Sequence, residues 1–472
     1  MNTVLFWFRR DLRLTDNRGL KAASETADRL FAVYIVDPAH RQWNHSCGDR
    51  LQFHLDCLRL LRKQVREEGG ELIVRCGEQT EVFEKLLKQL KPEAVCWNRS
   101  YEPYEISRDR KVRNLLEKKG CEVRTFKDLV FFEKEEILTR QQTPYKVFTP
   151  YSRRWKGLQK QKVVATVTCF AKTDIKAGEI PTVKELGLKT GLTDTNWQPG
   201  RRAALKCWAE FRKEGLENYD KNRDLPAEKQ GTSRLSPYLR AGVISVRELY
   251  HEARECLTGF SRARGVETFI DQLIWRDFYF QVLANFPRVV DSNFKEKYNA
   301  VEWETHPDWL EAWKSGNTGY PLIDAAMRQL NRTGWMHNRL RMIVAMFLTK
   351  NCLIHWKEGE QYFMNHLLDG DTAANNGGWQ WSASTGTDAA PYFRIFNPVS
   401  QSEKYDPEGE FIRRYCPELS GLDAKKIHAP FTCSKESLGE AGIELGRNYP
   451  QPIFDHKIRR QHAIDVFKKI YD

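Results

Sequence analysis

The sequence predicts an α/β + all-α fold, in which an N-terminal Rossmann-like domain built on a parallel sheet is joined by a long linker to a C-terminal all-helical domain. Three observations predict it. Over the first 126 residues, five short β-like runs alternate with amphipathic helical stretches, and strands regularly separated by helices make a parallel sheet covered on both faces. Between 128 and 200 the periodicity weakens, the chain turns basic at Arg153-Arg154-Trp155-Lys156, and turn residues appear at Gly178, Pro181 and Pro199. Beyond Arg201 helical patterning dominates. The expected limits are 1–127 for the α/β domain, 128–200 for the linker and 201–472 for the helical domain. A chain of 472 residues also exceeds the roughly 250 to 300 at which single cores stop growing.

The expected strands are 4–8, 30–36, 72–75, 94–97 and 122–126, and the helices between them are 17–24, 50–68, 79–90 and 104–119. Gly120 is a left-handed stop for the last of these. In the second half, Ser236 before Pro237 reads as a cap and first helical residue. Ser245-Val246-Arg247-Glu248 reads as a capping box.

Composition narrows the function. Apolar residues make up 41%, with no run of membrane-spanning length, which excludes a membrane-spanning enzyme. The first residues show neither a basic leader nor a small-residue cleavage site, so the cytoplasm is expected. Eleven cysteines spread from Cys47 to Cys433, with no CxxC pair and no Cys/His cluster, read as free thiols and give no metal site. A net charge of +12 fits a polyanionic partner, nucleic acid first, or merely a basic solvated surface. Neither GxGxxG nor GxxxxGK(S/T) occurs, so any nucleotide must be held another way.

Four stretches carry the chemistry. Gly231-Thr232-Ser233-Arg234-Leu235-Ser236-Pro237 puts hydroxyls and an arginine ahead of a helix start, either as a diphosphate cradle or as an ordinary capped turn. Gln272, Trp275, Arg276 and Tyr279 share one helix face, whose mixture of rings and hydrogen-bonding groups resembles a binding wall more than a core stripe. Asn338, Arg341, Met342 and Ala345 share another, which is either a second wall or a face partly open to solvent. Finally, Asp369-Gly370-Asp371-Thr372-Ala373-Ala374-Asn375-Asn376-Gly377-Gly378-Trp379-Gln380-Trp381-Ser382 combines paired carboxylates, amides, glycines and indoles. Small residues admit a planar ligand and carboxylates accept from ring N–H groups, so this stretch points to a planar heterocycle.

These residues resemble the photolyase/cryptochrome superfamily and, within it, the class I cyclobutane pyrimidine dimer (CPD) photolyases of bacteria. The resemblance runs over nearly the whole chain, through Trp7-Phe8-Arg9-Arg10-Asp11-Leu12-Arg13, Tyr145-Lys146-Val147-Phe148-Thr149-Pro150, the 231–236 turn, Leu273-Ile274-Trp275-Arg276-Asp277-Phe278-Tyr279, Gly334-Trp335-Met336-His337-Asn338-Arg339-Leu340-Arg341-Met342, and 369–398. It implies light-dependent repair of such dimers in UV-damaged DNA by electron transfer from excited reduced FAD to a flipped-out lesion. By resemblance, Tyr219, Thr232, Ser233, Arg234, Leu235 and Ser236 hold the FAD phosphates and ribityl region. Asp369 and Asp371 hold the flavin ring and its partner Arg341, and Asn375 meets the flavin N5. Trp379, Trp356 and Trp303 match the family's tryptophan chain. Trp275 and Trp381 line the dimer hole, Asn338 and Met342 touch the lesion, and Arg276, Arg223, Arg339 and Gln401 join the substrate and DNA contacts.

One departure concerns Gln272, where most relatives carry Glu; Gln keeps an amide donor and an acceptor at the same reach, so binding is expected to survive while repair yield falls. His45, Tyr104 and Glu105 match antenna positions, which favours 5,10-methenyltetrahydrofolate, with a deazaflavin or no antenna as alternatives. Tyr104 stands where close relatives often have Asn, and Asp291 replaces a lysine. The alternative functions are 6-4 photoproduct repair and cryptochrome-type blue-light signalling. The first calls for two histidines where Asn338 and Met342 stand, and the second often comes with a C-terminal extension that is not expected past Asp472. A monomer without membrane attachment is expected.

Overall fold

Apolar, β-branched runs separated by amphipathic helices assemble the sheet. In the computed structural model, which describes residues 2–37, 47–194, 196–258 and 263–470, β1 (Thr3–Phe8), β2 (Arg29–Val36), β3 (Leu72–Cys76), β4 (Ala94–Asn98) and β5 (Glu122–Phe126) form one sheet in the order β3-β2-β1-β4-β5. All pairings are parallel, with Thr3 opposite Arg29 and Val4 opposite Ala94. Every residue of β1 and β4 is buried, as expected of a sheet covered on both faces. Each expected strand is present within one residue at either end. The intervening helices are Arg18–Thr26, Gly48–Glu67, Gln79–Leu90 and Pro103–Lys118. Asn17, expected inside the first helix, is its cap and accepts from the Leu20 N–H at 3.1 Å. Gly120 takes φ 77°, the left-handed stop read from sequence.

The chain groups into two compact units: Met1–Gly191, Trp197–Glu217 and Ser233–Pro287 in one, and Leu192–Asn196, Asn218–Thr232 and Arg288–Asp472 in the other. This grouping differs from a division at 127/128 and 200/201, and buried charges explain why. Arg247 is fully buried; its Nε donates to Asp16 Oδ2 at 2.9 Å and its Nη2 to Asp128 Oδ1 at 2.5 Å. Arg13 donates to the other oxygen of Asp128 at 2.5 Å. These pairs fasten the Val246–Glu255 helix to the loops that follow β1 and β5. Ser245 and Glu248 form the expected capping box at its start. Further along, Asp277 in the Ala263–Asn285 helix accepts from the Trp155 indole at 3.0 Å and the Phe131 N–H at 2.9 Å. Burial pushes Asp277 up to about 6 against the lowering effect of these donors.

The stretch from 128 to 200 is less bare than its sequence suggests, because a helix spans Phe148–Gly157 and buries Tyr151 and Trp155. Ser236 is corrected by the structure: it is the first residue of the Ser236–Ala241 helix and not its cap. Arg234 turns the chain at φ 52° and Leu235 is already in a helical conformation, so the helical turn begins one residue before the position that Pro237 marks.

The second unit is helical. Helices Pro307–Ser315, Pro321–Thr333, Asn338–Met346, Trp356–His366 and Thr372–Ser382 contribute to one buried cluster that includes Trp313, Met327, Leu348, Trp356 and Trp379. Among the described residues, no helix is long and apolar enough to cross a membrane, and no group of three or more His, Cys, Asp or Glu could hold a metal ion. All eleven cysteines are free.

Candidate functional site

In the second unit the site is organised by the Thr372–Ser382 helix. Asp371 is its cap and accepts from the Ala373 and Ala374 N–H groups at 3.1 and 3.3 Å, which uses one carboxylate oxygen to satisfy the helix start. Asp369 lies two residues earlier and is buried. Its Oδ2 accepts from Arg341 Nη2 at 2.7 Å, while its Oδ1, also buried, has no partner among the described residues. Arg341 is fixed from the other side, since its Nε donates to the Met336 carbonyl at 2.9 Å. A buried acceptor with nothing to accept from fits a ligand that brings its own N–H, as the flavin ring of FAD does.

Asn375 and Asn376 both reach Glu360. Asn375 Nδ2 donates to the Glu360 carbonyl at 3.0 Å and Asn376 Nδ2 to its carboxyl Oε1 at 2.9 Å. Withdrawal from water pushes Glu360 up to about 7, against the lowering effect of the Asn376 bond and Lys357.

The three tryptophans expected to carry electrons differ in exposure. Trp379 is buried, and its indole N–H has no partner among the described residues. Its ring lies on Gly359 of the Trp356–His366 helix so closely that a Cβ there would sit 2.0 Å from Trp379 Cη2, so only glycine admits it. Trp356 is fully buried and donates to Asn293 Oδ1 at 2.8 Å. Trp303 is only partly buried and packs against the same cluster. All three belong to or pack against one buried cluster.

Asn338 and Met342 meet on one helix face as their spacing implied, with Asn338 Nδ2 3.9 Å from Met342 Sδ. Asn338 is exposed and Trp381 partly so. The two arginines expected at the DNA backbone gather on Asp224: Arg339 Nη2 lies 2.7 Å from its Oδ2 and Arg223 Nε 3.8 Å from its Oδ1. Arg223 also lies over the Tyr219 ring at 5.8 Å. Tyr219 is buried, and burial raises its hydroxyl to about 12. Thr232 is half-buried and follows Gly231, where a Cβ would lie 2.8 Å from the Asn222 carbonyl oxygen. Gln401 sits on the Pro398–Tyr405 helix, capped by Asn397.

The first unit holds the remaining residues. Ser233, Arg234, Leu235 and Ser236 make the left-handed turn into their helix. Along the Ala263–Asn285 helix, Trp275 is half-buried and stacks on Phe148, with ring centroids 3.7 Å apart and planes at 5°. The Gln272 amide makes a long 3.4 Å bond to the Thr268 carbonyl of its own helix. Arg276 donates to the Leu129 carbonyl at 2.7 Å, so its charge is anchored within the unit. Tyr104 donates to Asp37 at 2.5 Å. Glu105 is buried, with Oε2 lacking a partner among the described residues. Burial alone would raise its pKa, but Arg10, Arg108, Arg9 and Arg240 hold it ionised, at about 2. His45 lies outside the described residues. A cavity of about 410 Å³ opens near the carboxyl ends of β4 and β5, beside Trp97, Arg99, Tyr101 and Thr125, and none of the expected site residues lines it.

Sequence reasoning missed Asp224, Glu360 and Asp37, and it gave Phe148 no role beyond the 145–150 block. Phe148 alone left a trace, since Phe148, Tyr151 and Trp155 fall at i, i+3 and i+7, the spacing of a helix face.

A parallel sheet whose strands are separated by helices, together with a helical unit that carries a half-satisfied Asp–Arg pair and buried tryptophans, defines a cofactor-binding α/β plus helical protein. Two family models match the chain, DNA photolyase over residues 4–168 and the FAD binding domain of DNA photolyase over residues 269–469. The chain belongs to the DNA photolyase family. It is 40% identical to the deoxyribodipyrimidine photo-lyase of Halobacterium salinarum, over 98% of each chain, and 40% identical to that of Escherichia coli, over 99% of each. Among solved structures, a class III photolyase from Agrobacterium tumefaciens matches with TM-score 0.92 and 34% identity, over 100% of this chain and 98% of that one. A Synechocystis cryptochrome matches with TM-score 0.91 and 27% identity, over 99% of each.

Proposed function

We propose that this protein is a deoxyribodipyrimidine photo-lyase that binds UV-damaged DNA and splits cyclobutane pyrimidine dimers in light. The observation that carries this reading is the full-length identity of about 40% to proteins named for that activity. Reduced FAD, when bound, would supply the light-driven electron that opens the cyclobutane ring, with no net redox change. The chain's own residues do the rest. Asp369 accepts from the flavin ring through its free oxygen while Arg341 fixes the carboxylate, and Asn375, held by Glu360, lies one helical turn after the Asp371 cap. Tyr219 and the 232–236 turn hold the phosphates and ribityl chain. Trp379, Trp356 and Trp303 carry electrons inward from the surface to keep the cofactor reduced.

The lesion leaves the duplex stack at reduced cost because a damaged pair is already weakened. Trp275, stiffened by Phe148, and Trp381 wedge it, Asn338 and Met342 meet its bases, and Gln272 donates or accepts through its amide. Arg223, Arg339 and Gln401 meet the DNA backbone, and the net charge of +12 supports a phosphate-tracking surface. Arg276 takes part by holding the binding helix to the Leu129 carbonyl. The antenna is 5,10-methenyltetrahydrofolate, for which Glu105, ionised and with one oxygen free, fits a ligand N–H donor. Tyr104 frames it. Eleven free thiols support a reducing cytoplasm, and one chain carries all the proposed residues, which supports a monomer. The test is light-dependent recovery of thymine absorbance from UV-irradiated oligo(dT) by the chemically reduced holoenzyme. No recovery, with flavin bound, overturns the reading.

A further inference from the structure

His355 joins the two outer tryptophans. Its ring centroid lies 5.2 Å from that of Trp303 and 5.6 Å from that of Trp356, the latter with planes only 28° apart. The residue also caps the Trp356–His366 helix, its Nδ1 accepting from the Lys357 N–H at 3.1 Å. A backbone N–H only donates, so Nδ1 carries no proton and the ring is the neutral tautomer with its hydrogen on Nε2. Protonation would turn both nitrogens into donors, break the cap and put a positive charge between two indoles. Burial, and then the Lys357 charge, hold the imidazole pKa below its ordinary value.

The charges around it are few and mostly compensated. Lys357 reaches over Trp356 at 5.8 Å and pairs at 3.9 Å with exposed Asp291. Glu358 in the same first turn is exposed. On the Trp303 side, Glu304 accepts from Arg459 and His306 at 2.6 Å and from His462 at 2.5 Å, while exposed Glu302 faces Lys469 at 3.9 Å. Lys350 lies 3.4 Å from the centre of the Phe467 ring that packs on Trp303, and burial drives its ammonium toward the neutral amine. His355 is thus the one titratable ring in contact with both indoles among the described residues.

Resting on the reading that Trp379, Trp356 and Trp303 carry electrons, we propose that His355 is a positioning residue for the outer pair, a neutral ring in contact with both Trp356 and Trp303 that makes the arrival of positive charge at that pair pH-sensitive. In the outer step one electron passes from Trp303 to the Trp356 radical cation that would remain once light-driven reduction of the bound, oxidised cofactor has drawn an electron through Trp379. Trp356 is reduced, Trp303 is oxidised, and no bond or proton moves. An imidazolium 5.2 to 5.6 Å from the two rings opposes a cation on either of them nearly equally, so it disfavours bringing the charge from Trp379 to this pair, by about tenfold once solvent screening is allowed for.

The test is flash excitation of the FAD-loaded protein with its flavin oxidised, following the long-lived tryptophan radical from about pH 8 down to about pH 5. The radical yield is expected to fall about tenfold, with a midpoint below the ordinary histidine value, and the ring resonances of His355 to titrate at that same midpoint. His355→Gln and His355→Phe, neither of which titrates, are expected to flatten the profile. A wild-type yield that ignores pH, a ring titration at a different midpoint, or a variant profile that matches the wild type overturns the proposal. Trp303→Phe separates the two readings. If it leaves the long-lived radical intact, the tryptophan-chain reading falls and takes this proposal with it; if it abolishes the radical while the His355 variants behave as wild type, this proposal falls alone.

Discussion

Arg341 holds one oxygen of Asp369 at 2.7 Å, and the other oxygen of that buried carboxylate has no partner among the described residues. An unmet buried acceptor costs about 1 to 3 kcal/mol, so the arrangement makes physical sense when a ligand N–H completes it.

Asp369→Asn therefore weakens FAD binding. Losing a charged hydrogen bond worth about 1.5 to 3 kcal/mol lowers affinity by about 10- to 100-fold. Flavin absorbance per protein after dialysis measures it, and full retention of flavin would remove Asp369 from the cofactor site.

Trp379→Phe separates photoreduction from repair. The ring lies against Gly359 with its N–H unused, so Phe fits the volume while losing the readily oxidised indole. Light-driven reduction of the flavin is expected to drop by at least about tenfold, while repair by chemically reduced protein persists. Equal loss of both would assign Trp379 to packing alone.

Gln272→Glu is expected to raise repair yield per absorbed photon with little change in DNA affinity. Gln272 makes a long 3.4 Å bond to its own helix, and on the proposed reading its amide meets the lesion where most relatives present a carboxyl group. Quantum yields of the two proteins on the same oligonucleotide decide it.

The sheet was legible in sequence because β1 to β4 carry apolar runs and the intervening helices are regularly spaced, which made even the polar β5 (Glu122–Phe126) readable, and all five strands lie within a residue of their expected limits. The face shared by Asn338 and Met342 was legible for the same kind of reason, a fixed helical period. What escaped depends on residues far apart in the chain. Phe148 stacks on Trp275 across more than a hundred positions, Glu360 gathers two asparagines from the next helix, and Asp16 and Asp128 wait for Arg247. No local pattern encodes such partners. The Phe148–Gly157 helix escaped for another reason, being short and interrupted by Arg153, Arg154 and Lys156.

Arg247→Ala should cost about 3 to 5 kcal/mol of unfolding free energy, because it leaves Asp16 and part of Asp128 buried and uncompensated. Urea unfolding of the holoenzyme measures it. Arg247→Met removes the charge with less loss of volume, so a similar loss there would point to charge, whereas full rescue would point to packing.

Glu360 sets a pH dependence whose sign can be worked out. Its carboxyl rises from an ordinary 4.5 to about 7 in the folded protein, chiefly because burial penalises the charged form. Between those values the folded chain keeps a proton that the unfolded chain has released, so this contribution to stability is fully present below 4.5, declines as pH rises, and is lost beyond about 7. Glu360→Gln preserves an acceptor for Asn376, whose amide lies 2.9 Å from Oε1, and cannot titrate. Urea midpoints measured at about pH 5 and about pH 8 should therefore show the wild type losing stability relative to the variant as pH increases. A constant difference between the two proteins would mean that Glu360 is ionised throughout, and that Asn376 donates to a charged rather than a neutral carboxyl group.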